Sequence, residues 1–133
     1  MSATVAVLRI DTPRPALVRV HESTDDDGAT VDVSLASPSG TRVGSASGEA
    51  SASHRPFLVA TATLRAIPSD LADEFQVVAA TTTASGSDSI AIVIVEAGTS
   101  RLVGSALIED DNQQIGFARA ALDAVNRRLE TPR

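Results

Sequence analysis

The tetrapeptide VGSA occurs at residues 43–46 and again at 103–106, sixty positions apart. Aligned at that offset, Glu49 falls on Glu109, Phe57 on Phe117 and Ala60 on Ala120; upstream, Val18 meets Val78, Val33 meets Val93 and Leu35 meets Val95. An accidental match would not hold one register through apolar positions on both sides. The chain therefore reads as a tandem duplication, and a duplicated chain must solve one burial problem twice.

Each copy reads as three strands and a helix. In the second, FQVVAATTT (75–83) has the β-branched and apolar content of a strand, and ASGSD (84–88) supplies turn residues. SIAIVIVEA (89–97) is the clearest strand, GTS turns the chain, and RLVGSALIE (101–109) returns as a third. IGFARAALDAVNRRLE (115–130) then repeats Ile115, Ala118, Leu122, Val125 and Leu129 at helical spacing. Arg127 and Arg128 suit its last turn, and Pro132 lies beyond it.

The first copy repeats this plan: strands at 16–23, 30–36 and 41–50, with turns at DDDG (25–28) and SPSG (37–40). Its helix is RPFLVATATLRAI (55–67), with Pro56 in the first turn and Pro68 as the stop. Residues 69–74 link the copies, and ATVAVLRI (3–10), within a leader of residues 1–15, reads as an extra edge strand. The expected fold class is α+β: a single domain of two tandem β-β-β-α repeats, about 16–67 and 75–130. They would form a mostly antiparallel, six-stranded sheet with two helices on one face. IAIVIV (90–95) offers apolar side chains to both faces of that sheet, so its second face calls for a partner, most simply a second copy.

Composition removes several function classes. Net charge is −6 and only 2% of residues are aromatic, which argues against nucleic acid on both electrostatic and stacking grounds. There is no Cys, hence no disulfide, thiolate zinc site or cysteine nucleophile. No apolar stretch approaches the roughly 18 residues of a membrane span, and no signal peptide opens the chain. A soluble cytoplasmic protein with no membrane role is expected.

The polar residues carry little chemistry. His21, His54 and Asp25, Asp26 and Asp27 have no regular metal-ligand spacing, and DDDG lacks the rest of a calcium loop. Ser45, Ser47, Ser51 and Ser53 alternate beside Gly44 and Gly48 without a G-x-S-x-G elbow. Small residues at Gly44, Gly48 and Gly104 allow close backbone approach by a packed helix or by a ligand. Glu109, Asp110 and Asp111 precede the second helix, where carboxylates complement its positive end or would receive the ammonium of an amino acid.

The two β-β-β-α modules, each ending in a small-residue third strand and an Ala-rich helix, resemble the C-terminal regulatory, dimerisation domain of the 2-isopropylmalate synthase family. In the second module Phe75 stands where that family has a Tyr. Gly86-Ser87-Asp88-Ser89 echoes its turn, Gly104-Ser105-Ala106 its third strand and Ala124-Val125-Asn126-Arg127 its helix end. In the first, Gly44, Gly48 and Pro56 echo the segment associated with the feedback ligand, with no Asp after the Pro. The resemblance spans about residues 16–130 and implies a stand-alone regulatory module without the catalytic barrel.

The expected function is accordingly non-catalytic: a homodimeric regulatory-type domain, without cofactor or metal, that binds a small amino-acid-like metabolite or modulates a partner enzyme. Gly44, Gly48, His54, Gly104, Asp110 and Asp111 are the expected ligand-binding residues. The alternative is a structural adaptor that docks another protein and takes no small ligand.

Overall fold

The computed structural model describes residues 15–37, 40–67, 75–109 and 112–130, the last four as backbone only. Residues 1–14 of the leader, Pro68, the 69–74 link, Asp110, Asp111, Pro132 and the side chains of Arg127 and Arg128 lie outside that description. The elements run β1 (Ala16–Asp25), β2 (Gly28–Ser37), β3 (Gly40–Gly48), α1 (Arg55–Arg65), β4 (Phe75–Ser85), β5 (Asp88–Ala97), β6 (Ser100–Leu107) and α2 (Gln113–Glu130). This is the expected pair of β-β-β-α units. The strands do not join into one sheet, however: they form two three-stranded antiparallel sheets, ordered β1-β2-β3 and β4-β5-β6.

The turns follow from local chemistry. Asp26 and Asp27 close the first hairpin, where the Asp25 carboxylate accepts from the backbone N–H groups of Asp27 (2.8 Å) and Gly28 (3.1 Å). Gly86 and Gly98, both at φ +63, open the two turns of the second sheet. Glycine adopts that left-handed conformation without the Cβ clash other residues meet.

Two separate sheets suffice because the helices are buried on nearly every side. α1 packs on β2 and β3 of its own repeat and also meets β4; α2 packs on β5 and β6 and also meets β1; the helices pack on each other. They form a middle layer that serves both sheets at once. Within α1 only Arg65 is exposed. A helix apolar all round belongs in such an interior position. Val31, Val33 and Leu35 of β2 and Val93 and Val95 of β5 meet the helices from either side, with Val59, Ile67, Phe117 and Val125 filling the middle.

The offset of sixty holds through every strand pairing. Leu17 pairs with Leu35 and Val77 with Val95, while Val33 pairs with Gly44 and Val93 with Gly104. Even the irregularity in the first strand recurs, between Leu17 and Arg19 and between Val77 and Ala79. It leaves Val18 and Val78 out of the ladder, 58% and 39% exposed.

The offset breaks before the helices. Gly44 lies against the backbone of Ala62 and Ala66, Gly104 against that of Ala120 and Ala124, so the helices correspond at an offset of fifty-eight. Phe117 therefore answers to Val59 rather than Phe57, and Ala120 to Ala62 rather than Ala60. Between equivalent positions of strand and helix, Gly104 to Ala120 against Gly44 to Ala62, the second repeat is two residues shorter. In an Ala-rich helix, apolar residues fall into coincidental match at several offsets, which is why Phe57/Phe117 and Ala60/Ala120 aligned.

Candidate functional site

The structure spreads the expected site residues over three places. Gly44 and Gly104 are buried, and a Cβ at either would collide with the backbone of the following helix. Of the two readings of small residues on a strand, close helix packing holds here; the helix occupies the space a ligand would need. Gly48 and His54 come together: a Cβ on Gly48 would lie 3.0 Å from the His54 Nε2. The His54 ring stacks on Phe57 with centroids 5.4 Å apart. Asp110 and Asp111 lie outside the described residues. Their neighbour Glu109 pairs with Arg119 at 3.6 Å, and the helix cap falls to Asn112, whose Oδ1 accepts from the Ile115 N–H at 3.2 Å.

A different polar cluster joins the two repeats. The first turns of α1 and α2 converge on a small cleft of about 70 Å3 lined by Ala52, Arg55, Pro56, Val59, Gln113, Gln114 and Phe117. Arg55 and Gln114 stand on opposite walls, and both reach Glu22 of β1. The Arg55 Nε lies 3.5 Å from Glu22 Oε2, and the Gln114 Nε2 donates to Glu22 Oε1 at 3.2 Å. Sequence reading passed over this trio. A signal was present: past the irregularity at Val18, Val20 and Glu22 share the inward side, and Glu22 pairs with the fully buried Val31. A carboxylate on the inward side of a strand requires partners, and they come from both helices.

The outer faces of the sheets both expose two valines, Val18 and Val43 on the first and Val78 and Val103 on the second, and differ along their central strands. On the first, Thr30 bonds Ser47 at 3.1 Å, the Ser45 hydroxyl donates to Asp32 at 2.5 Å, and His21 stands beside Asp32. On the second, the equivalent places hold Ile90, Ile92, Ile94 and Leu107. Val103 and Leu107 are 63% and 50% exposed, and Val78 adds to the same face. β5 is thus apolar on both sides, with Ala91, Val93 and Val95 turned to the core and the three Ile residues turned out. Glu96 and Arg101, 4.0 Å apart, are paired at one end of this face.

Among the described residues, no helix is long and apolar enough to cross a membrane. Comparison of the chain with protein-family models and with curated proteins finds no match.

Proposed function

We propose that the chain is a non-catalytic, regulatory-type association domain that dimerises through the outer face of its second sheet. The observation that carries this reading is the contrast between the faces: Ile90, Ile92, Ile94 and Leu107 stand where the first sheet has Thr30, Asp32, Ser34 and Ser47, beside a valine, Val103 or Val43, that both faces expose. Contiguous aliphatic side chains on a sheet face are costly to leave in water, and each one fully covered contributes about 1.5–3 kcal/mol. The whole chain carries a net charge of −6, so copies repel one another over most of their surface. On this face Glu96 and Arg101 are already paired with each other at one end, and the centre is uncharged.

The small metabolite of this reading sits in the cleft between the helix starts. An amino-acid-like molecule would offer its carboxylate to Arg55 and the first turn of α2, and its ammonium to Glu22. Because the walls come from different repeats, such a ligand would favour one packing of the repeats over another and so bias a partner enzyme or the dimer. The resemblance to the 2-isopropylmalate synthase regulatory domain supports the same reading. The scarcity of nucleophiles and bases in a chain without Cys, Lys or Tyr supports its non-catalytic part.

The adaptor reading is favoured by one feature of the cleft: the Glu22 carboxylate is already engaged from within the chain, by the Arg55 ion pair and the Gln114 hydrogen bond. Sedimentation equilibrium together with a thermal-shift screen of amino acids and acyl metabolites separates the two. Dimers with a raised melting temperature for a defined ligand class support the regulatory domain. Dimers with no shift across the screen leave the adaptor, and monomers at all concentrations remove the association reading itself.

A further inference from the structure

Among the described residues, the edges of the two sheets end differently from their faces. β3 and β6 are edge strands, and their odd-numbered residues turn backbone N–H and C=O groups away from the neighbouring strand; the 2.9 Å bond from the Ile108 N–H to the Ser89 carbonyl fixes that alternation in the second sheet. An edge of this kind is a template for another strand. In each repeat the middle of the edge is already taken. The Arg65 guanidinium donates to the Ser45 carbonyl at 2.8 Å, and the Asp123 carboxylate accepts from the Ser105 N–H at 3.0 Å.

These contacts are equivalent. Ser45 and Ser105 match at the strand offset of sixty, Arg65 and Asp123 at the helix offset of fifty-eight. Both depend on the glycine beside them. Gly44 and Gly104 let the helix backbone lie against the edge strand, and the residue three beyond the contacting Ala62 or Ala120 then reaches round the strand to its outer side. The duplication has kept the position and the task while reversing the charge.

We propose that Arg65 and Asp123 are edge guards that keep β3 and β6 from pairing with the same strand of a second copy. The guard acts in two ways. It occupies a backbone group an incoming strand would need, and in an antiparallel β6–β6 junction centred on Ser105 it would bring two Asp123 carboxylates together. A β3–β3 junction would do the same with two Arg65 guanidiniums. Charged side chains on an edge are a common means of preventing such pairing. This inference is independent of how the outer face of the second sheet is used.

The test compares Asp123→Ala and Asp123→Asn with the unaltered chain, by residue-resolved amide exchange and by sedimentation velocity over a concentration series. Asp123→Ala is expected to exchange the Ser105 amide about tenfold faster and to form species larger than those of the unaltered chain at equal concentration. Asp123→Asn, whose amide oxygen still accepts, is expected to keep most of the Ser105 protection. Unchanged exchange at Ser105 in the Ala variant overturns the contact. Faster exchange without larger species overturns its role against strand pairing. Equal acceleration along all of α2 in both variants assigns Asp123 to helix stability instead and overturns the proposal as well.

Discussion

The two sheets share one inner face and differ on the outer one most along their central strands, since Val18 and Val43 of the first are matched by Val78 and Val103 of the second. Inward, Val31, Val33 and Leu35 of β2 find Ala91, Val93 and Val95 in β5, with Gly44 and Gly104 under the same turn of each helix. Outward, Thr30, Asp32 and Ser34 are answered by Ile90, Ile92 and Ile94, and Ser47 by Leu107. Inner positions are held by close packing, where a change of one methylene is felt, so both copies have kept them small and aliphatic. Outer positions answer only to what lies beyond the molecule. One copy carries polar side chains along its outer central strand, and the other carries isoleucines there.

The sharpest way to break this comparison is to damage the shared side. Gly44→Val and Gly104→Val should each cost about 3 kcal/mol or more, because the intruding atoms meet helix backbone, which cannot rotate away. Against a total stability of about 5–15 kcal/mol, that is enough to lower the urea midpoint steeply or abolish the cooperative transition. The two variants should behave alike. If Gly104→Val folds as stably as the unaltered chain, the inner equivalence of the repeats is wrong.

On the outer side the copies should respond in opposite ways. Ile92→Asp writes the first face into the second, and a twofold interface counts each substitution twice. At about 2 kcal/mol per copy, the dimer should weaken by about a thousandfold, while the urea midpoint of the monomer moves little. Sedimentation equilibrium measures this directly. Asp32→Ile makes the first face more apolar and should add association rather than remove it. If Ile92→Asp leaves the association constant unchanged, the second face is not the interface.

The sequence carried the inner side of this comparison better than the outer. Strand positions were legible because a period of two with β-branched residues is a strong signal, and VGSA fixed the register of β3 and β6. The single six-stranded sheet was expected because each open sheet needed a cover. Nothing in the alternation itself says that the helices can serve as a cover from both sides. That information lay in α1, where FLVATATL has no polar stripe at all. The helix offset was hidden for a related reason: a two-residue difference between equivalent positions of strand and helix leaves no mark in an Ala-rich helix. The apolar outer face of β5 was readable from IAIVIV. The cleft was not, because Glu22, Arg55 and Gln114 lie far apart in the chain and meet only when the two helix starts do. Of the residues expected to bind a ligand, Gly44 and Gly104 lie against the backbone of the following helix.

The smallest effect expected is at the hydrogen-bonded pair that makes the first face polar. Ser45→Ala removes the hydroxyl that donates to Asp32 and leaves the carboxylate half-exposed, free to take water instead. A bond of that kind contributes about 1 kcal/mol or less, because solvent replaces most of what is lost. The matching change in the second repeat, Ser105→Ala, removes a hydroxyl that stands beside Ile92 rather than beside a carboxylate. It should therefore be close to neutral for folding and leave the Ser105 backbone bond to Asp123 in place. Thermal unfolding of the two variants side by side measures the difference. Equal losses would mean that the polar pairs on the first face contribute nothing specific, and that its polarity serves only to keep that face in water.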